Sequence, residues 1–270
     1  FGSLQAGTPD EPAVTKESVH HFFKYVSGSP IKRPGWFFDV QQQGEGVVDV
    51  TTHLVDLIQW ECFPEEILDY KKDIEVLNAK RWATELTPEQ FERVTGFPEY
   101  PEYLKKDVVD NSTLKVYANG EINYKLKGIH ARVVVIWNYE APEGAKDTHY
   151  SIMRGTKSNL VIRQGAEQNY QTVLYIEKLA DEADDAYEST LEAAVANLGS
   201  KYPGLAMKKT SPGVWELIIP DKFKVGHEAH FSQVTEKYLK YLADGKLPEW
   251  EVPNMIAKYY TTTKGFELSR

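Results

Sequence analysis

Three side chains able to exchange protons lie close together in the sequence: Asp49, His53 and Asp56. Asp49 precedes His53 by four residues and Asp56 follows it by three, so on an α-helix all three project from one face. Carboxylates beside an imidazole favour its protonated form and can fix which ring nitrogen carries the proton. The spacing therefore predicts a proton-transfer site for an alcohol or a carbonyl, with His53 as the acid or base and the two aspartates supporting it.

A solvated helix face without function is the alternative interpretation of the same three residues, and spacing alone leaves both interpretations open. The helix is predicted by period over Val47–Trp60, although its valines and threonines by themselves favour a strand. The apolar residues that occupy the arc opposite the polar triplet are Val47, Val50, Leu54, Leu57 and Ile58.

Four further residues could bind a polar ligand near this helix. Arg33, Trp36 and Asp39 precede it; Arg and Asp can bind hydroxyl groups, and an indole face suits a sugar ring. Trp36 lies in a Trp-Phe-Phe run and could equally belong to the core. Lys24, on the first predicted strand, could reach the same cleft, with an exposed lysine as the alternative. These residues are candidates for substrate binding.

The remaining histidines and the single cysteine carry weaker signals. His20 and His21 alternate across the first strand, so only one of them can face a site. His227 and His230 lie three apart at a predicted helix start, and without a third ligand no metal site is expected there. Cys62, between Glu61 and Phe63, excludes an internal disulfide and is interpreted as a packed thiol.

Charge and composition exclude several classes of protein. The 270 residues carry a net charge of −9 and no basic tract, which argues against a nucleic-acid-binding surface. No apolar run approaches the ~20 residues that cross a bilayer, so no membrane span is expected. Phe1 is not an initiator methionine, and we expect this end to have been cut or engineered.

The order of the predicted elements indicates an α+β fold with a large, mostly antiparallel open sheet. The first strand is predicted over Ala13–Val26, and a helical insertion over about residues 65–110 in which Thr87 caps a helix. Asn119-Gly120 is interpreted as a hairpin turn. The later strands are predicted at Thr113–Tyr117, Glu121–Leu126, Ala131–Tyr139, Thr148–Arg154, Asn159–Arg163, Thr172–Ile176 and Val214–Ile219. Amphipathic helices are predicted at Ala180–Leu198 and His227–Ala243, with Gly199 and Gly245 ending them.

The segment around the polar triplet resembles the glucose–fructose oxidoreductase, inositol dehydrogenase and rhizopine-catabolism (Gfo/Idh/MocA) family. Its pattern Asp-x-x-x-His-x-x-Asp is matched in order and spacing by Asp49, His53 and Asp56. Gly46 corresponds to the second glycine of the pair that precedes this pattern, and Glu45 stands in place of the first. Less specifically, residues 155–162 and 230–248 are similar to the family's strand–glycine–strand segment and terminal helix. The Arg-Pro-x-Trp entry at 33–36 is similar to an oxidoreductase C-terminal group of Bacteroidetes.

The resemblance implies a bacterial substrate-binding domain that spans residues 1–270, with helices on one face of the sheet, as in the C-terminal fold of glyceraldehyde-3-phosphate dehydrogenase. In the family, residues matching Asp49 and His53 act with a lysine at the reacting carbinol, and the match to Asp56 binds substrate or orients the histidine. NAD or NADP belongs to a preceding Rossmann domain, whose Gly-x-Gly-x-x-Gly and Glu-Lys-Pro are absent here. We therefore expect no cofactor on this chain alone. The expected partners are that missing domain, a sugar or polyol, and a second copy bound through the sheet. Cytoplasm and periplasm stay open.

Three hypotheses follow for function. The first is an NAD(P)-dependent sugar or cyclitol oxidoreductase of which this chain is the substrate domain. The second is a non-catalytic carbohydrate-binding or dimerisation module with the same fold. The third is a metal-dependent hydrolase that uses Glu45 together with the polar triplet.

Overall fold

A single large sheet organises the chain, and the computed structural model describes residues 1–26, 28–110, 112–179 and 183–270. The strands are β1 (Val14–Phe23), β2 (Tyr25–Val26), β3 (Ser29–Pro30), β4 (Ile74–Leu86), β5 (Val108–Val109), β6 (Thr113–Leu126), β7 (Ile129–Glu140), β8 (Thr148–Arg154), β9 (Ser158–Gln164), β10 (Val173–Lys178), β11 (Ala206–Ser211) and β12 (Val214–Ile218). The α-helices are α1 (Val40–Gln43), α2 (Thr51–Cys62), α3 (Pro88–Thr95), α4 (Asp184–Leu198), α5 (His227–Asp244) and α6 (Glu251–Leu268). Short 3₁₀ helices lie at Gly35–Phe38, Glu102–Asp107, Ala166–Gln168 and Asp221–Phe223.

The sheet has ten strands in the order β11-β12-β10-β9-β8-β1-β7-β6-β4, with β5 paired to the start of β6. Only β1 and β7 pair in parallel among the described strand pairs, and the rest are antiparallel. The predicted α+β fold with a large, mostly antiparallel open sheet is confirmed.

The helices lie on one face of this sheet, as the sequence predicts. The register places Trp215, Ile176, Leu160, Met153, Val14, Ala131 and Tyr124 in one row across the strands. On this face Tyr187 of α4 contacts the buried Trp215, and Gly265 of α6 lies against Ile122. The main core fills the space between α2, α6 and the central strands. Each fully buried Val, Leu, Ile or Phe there contributes about 1.5–3 kcal/mol to folding.

The prediction of a helical insertion over residues 65–110 is wrong for its first half. Ile74–Leu86 forms β4, the edge strand of the sheet, and pairs with β6 through two register shifts. Four charged residues interrupt β4, namely Glu75, Lys80, Arg81 and Glu85, so the strand shows little of the apolar alternation by which strands are recognised. The helix start at Thr87 is confirmed, because Thr87 and Gln90 form a reciprocal capping box at the N-terminus of α3.

The hairpin predicted at Asn119-Gly120 is also wrong, since both residues lie inside the continuous strand β6. Asn119 sits opposite the second register shift of β4. There its side-chain amide donates to the Trp82 carbonyl and to Thr84, while its oxygen accepts from the Trp137 amide. Asn119 thus supplies hydrogen bonds where the backbone pairing between β4 and β6 is irregular. Gly120 allows the chain near Val47 to approach the strand.

Other boundaries differ by smaller amounts. The first strand ends at Phe23 rather than Val26, and Tyr25–Val26 instead pairs with Ser29–Pro30. The start predicted for the helix Ala180–Leu198 falls on residues 180–182, outside the described ranges, and α4 begins at Asp184. The last helix, α6, was not anticipated as a separate element.

Candidate functional site

The loop before α2 is pressed directly onto the sheet, and this contact fixes where α2 begins. A Cβ on Gly46 would lie 1.9 Å from the Ala118 carbonyl oxygen, and one on Gly120 would lie 2.6 Å from the Val47 Cα. The Gly46 amide donates to the Tyr117 carbonyl at 2.9 Å, and the Thr51 hydroxyl donates to the Gly46 carbonyl at 2.6 Å. Only glycine permits such backbone-to-backbone approach. Asp49 and His53 are therefore held at a set height above β6.

Asp49 lies in the turn that leads into α2 and is partly buried. Gln43 donates its side-chain amide to an Asp49 carboxylate oxygen at 3.2 Å. Burial raises the pKa of Asp49, against the opposing effects of the Gln43 hydrogen bond and of the His53 and His20 imidazoles. The carboxyl group is thus easier to protonate than an ordinary aspartate.

His53 stands on the first turn of α2 with its side chain exposed, close enough to Asp49 to influence that carboxyl electrostatically. An exposed imidazole beside a partly buried carboxylate can reach a ligand that lies over the helix. The structure brings these two predicted residues together.

Asp56 is directed elsewhere. Its carboxylate pairs with Lys258 of α6 at 3.3 Å, and both side chains are mostly buried. The predicted arrangement has one carboxylate on each side of His53. Of the two aspartates, only Asp49 remains as a partner for His53. Asp56 instead ties α2 to α6.

The strand below α2 contributes polar groups that the sequence interpretation missed. Lys16, which is 1% exposed, donates to Glu61 of α2 at 2.8 Å and to the Ser151 hydroxyl at 2.9 Å. A buried ammonium is tolerated only when it is paired in this way. Lys16 therefore joins the C-terminal end of α2 to β1 and β8.

His149 of β8 lies near this lysine and contacts Ser18, with 2.9 Å between Nδ1 and the hydroxyl oxygen. Burial, the Lys16 ammonium and His20 together lower the pKa of His149 to about 4. His149 is therefore neutral near pH 7, and its imidazole can accept or donate a hydrogen bond without carrying charge.

Asp147 joins the end of β1 to β8. His20 and His21 each place Nδ1 at 3.2 Å from a carboxylate oxygen of Asp147, and Lys24 forms an ion pair with the same group. Burial alone would raise the pKa of Asp147, but these partners hold it well below its usual range. Both histidines must then donate from Nδ1. Strand alternation predicts that only one of these histidines can face a site, whereas both imidazoles contact this one carboxylate; His20 also stacks on Trp137, with 4.8 Å between the ring centroids.

The other predicted binding residues are Arg33, Asp39, Lys24 and Trp36. The first three already have partners within the chain, whereas Trp36 is exposed. Arg33 donates to the His21 and Phe22 carbonyls and lies over the Phe37 ring. The buried Asp39 caps α1 and accepts from Gln42 and Lys106. Lys24 is paired with Asp147. Trp36 is 47% exposed, so its indole face is open to a ligand.

The missed residues follow a signal that was present in the sequence. Lys16 and Ser18 alternate along β1 with His20, which the sequence already singles out, so a strand places all three on one face. His149 and Ser151 join the same face because β8 pairs with β1. This pairing could not be predicted from the sequence.

The side chains suggested for a metal-dependent hydrolase do not converge. Glu45 accepts two hydrogen bonds from Arg81, at 2.7 and 2.8 Å, while Asp56 pairs with Lys258. Within the described part of the chain, no group of three or more His, Cys, Asp or Glu is arranged as a metal site. Cys62 packs against the core, and burial together with the Glu61 carboxylate raises the pKa of its thiol to about 12, against the opposing effect of the Lys16 ammonium.

The site thus consists of Asp49 and His53 above a strand surface that carries His20, Ser18 and the neutral His149. No helix in the described ranges is long and apolar enough to cross a membrane. This sheet, its one helical face and a His–Asp pair at the start of α2 are what the sequence resemblance to an oxidoreductase C-terminal domain implies.

Comparison with known families agrees with this resemblance. The family described as "Putative oxidoreductase C terminal domain" matches residues 1–270, and the chain belongs to this family. The resemblance inferred from the sequence is thereby confirmed. No curated protein matches the chain.

Among the solved structures that are similar to the chain are two described as putative oxidoreductases. A "putative oxidoreductase" from Parabacteroides merdae ATCC 43184 shares 57% identity at a TM-score of 0.96; the match covers 100% of this chain and 61% of the Parabacteroides protein. A "putative oxidoreductase" from Erwinia carotovora atroseptica SCRI1043 shares 11% identity at a TM-score of 0.51, covering 95% of this chain and 55% of that protein, which indicates a shared fold alone. This chain therefore spans less than two thirds of the length of either relative.

Proposed function

We propose that this chain is the substrate-binding part of an NAD(P)-dependent oxidoreductase that acts on a secondary alcohol of a sugar or cyclitol. The observation that carries the proposal is the pairing of an exposed His53 with the partly buried Asp49 at the start of α2. Membership of an oxidoreductase C-terminal family and the match of these residues to the Asp-x-x-x-His pattern support it.

In the proposed reaction His53 takes the hydroxyl proton while hydride leaves the same carbon, and it returns the proton when the reaction runs in reverse. Asp49 stabilises the imidazolium that forms. NAD or NADP, held by a separate domain of the whole protein, would supply the hydride acceptor. No residue of this chain is assigned to the nucleotide.

The polar surface below α2 suits a neutral polyol. The Lys16 and Lys24 ammonium groups already have carboxylate partners, and His149 is uncharged near neutral pH. Hydroxyl groups can exchange hydrogen bonds with imidazole and hydroxyl side chains without adding charge to a partly buried surface. Trp36 offers an indole face, while Arg33, Asp39 and Asp56 support the site through internal contacts.

The experiment that tests the proposal is reduction of NAD or NADP by the whole encoded protein in the presence of sugars and cyclitols. Substrate-dependent reduction that requires His53 is expected. A whole protein without a nucleotide-binding domain, or one that binds the nucleotide and oxidises none of these substrates, would contradict the proposal.

A further inference from the structure

Helix α5 is exposed along almost its whole length and carries a continuous apolar stripe. Phe231 is 62% exposed, Val234 63%, Tyr238 60% and Leu242 64%. Their spacing places all four within about 80° of one another around the helix axis. A stripe of this kind is what an amphipathic helix presents to a partner.

The described contacts hold α5 to the domain by a different side. The Lys237 ammonium lies 5.9 Å from the Trp60 ring centroid and 5.0 Å from that of Trp250, and 4.0 Å from the Glu251 carboxylate. Lys237 points about 100° away from Tyr238 around the helix. The attachment therefore leaves the apolar stripe facing outward.

Isolated helices of this length gain little stability without burial of an apolar face. Large apolar side chains that stay in water forgo the stabilisation that burial would give. The stripe thus points to a surface that is covered in the complete protein.

We propose that the apolar stripe of α5 is the docking surface for the nucleotide-binding domain of the whole protein. This inference rests on the proposed function. The Parabacteroides relative has the length for such a domain, since this chain spans 61% of it. Trp60, which Lys237 covers, lies two helical turns beyond His53 on the same face of α2. In the proposed assembly one domain extends from the His53 end of α2 to the apolar stripe of α5.

Hydrogen exchange of the α5 backbone tests this docking. The whole encoded protein is compared with the 270-residue chain, and α5 is expected to exchange at least roughly ten-fold more slowly in the whole protein. Val234→Ser with Leu242→Ser should abolish this protection. Glu236→Ser with Lys240→Ser, exposed on the opposite side of α5, should preserve it.

Three outcomes overturn the inference. In the first, the whole protein binds nucleotide and is active, but α5 exchanges equally fast in both proteins. This result contradicts the docking surface and leaves the proposed function intact. Protection of α5 in the 270-residue chain that grows with protein concentration, together with a doubled solution mass, assigns the stripe to a second copy. A whole protein without a nucleotide-binding domain removes both the inference and the proposed function. Because all substituted residues are exposed, unfolding midpoints equal to that of the wild type confirm that each variant folds.

Discussion

At the residue scale, His149 is a titratable group whose surroundings lower its pKa within a pH range that unfolding experiments can reach. Burial, Lys16 and His20 move its pKa from 6.5 to about 4, so the folded protein holds the neutral ring while the unfolded chain is protonated at a higher pH. Between these two pH values the unfolded state binds more protons, and the stability that the neutral ring contributes is lost as the pH falls.

We predict that the free energy of unfolding of the wild type falls by an amount on the order of 2 kcal/mol between pH 6.5 and pH 4. The variant His149→Asn should not show this decrease. Denaturant unfolding at several pH values measures it. Asp147, whose pKa is depressed, loses its contribution only at lower pH, so the two windows are separable. Parallel pH dependences for wild type and variant would show that His149 is not held neutral by the fold.

The sequence was sufficient to find Asp49 and His53, because both lie within one helical turn and their spacing is a local property. It was not sufficient for Asp56, whose partner Lys258 comes from the last helix. Arg33 and Asp39 were chosen for their ability to bind hydroxyl groups, and the fold instead gives them backbone carbonyls, Gln42 and Lys106 as partners. Long-range contacts of this kind leave no periodic trace in the chain.

At the element scale, the position of α2 depends on the close approach between its preceding loop and β6. The Asn119-Gly120 pair carries the composition of a hairpin turn, yet it serves a register shift and a backbone contact inside one strand. Asn and Gly are typical of hairpin turns, and Gly is also typical of strand positions that another backbone approaches closely. Composition alone therefore could not distinguish the two cases. The alternation of β1 and β7, in contrast, reports burial directly, and these strands were predicted close to their observed bounds.

Gly120→Ala is predicted to lower the free energy of unfolding by roughly 1–3 kcal/mol, because the new methyl group overlaps the backbone of Val47. In the whole enzyme it should also reduce turnover, because α2 and His53 are displaced from the sheet. Gly165→Ala is the control, since its Cβ would meet its nearest neighbour only at 3.6 Å and its φ of −146° suits alanine. Chemical denaturation gives both values, and equal stability of the two variants would contradict the close contact.

At the scale of the whole molecule, the sheet has one face free of the described helices. Arg163 pairs with Glu177 at 2.5 Å and lies over Tyr175 on that face, and Arg132 pairs with Glu121 at 3.1 Å. Tyr150 is 36% exposed in the same region. An open sheet face with aromatic and arginine side chains suits association of two copies.

We predict that the protein is a dimer joined through this face, with a solution mass twice that of one chain. Tyr150→Asp should reduce the mass to that of one chain, because the introduced carboxylate would be buried at the interface. Tyr103→Asp, on an exposed tyrosine of the helical segment Glu102–Asp107, should keep the dimer. A wild-type protein that remains monomeric at micromolar concentration would argue against sheet-to-sheet association.

The measurement that tests the central claim most directly is the turnover of the whole enzyme with its best sugar or cyclitol after substitution of His53. His53→Ala is predicted to reduce kcat by a factor on the order of 10²–10⁴ while nucleotide binding is retained, since general acid–base catalysis contributes about that much. His130→Asn, on the opposite face of the sheet, should leave kcat within about two-fold. A His53→Ala enzyme with the kcat of the wild type would contradict the assignment of proton transfer to this residue.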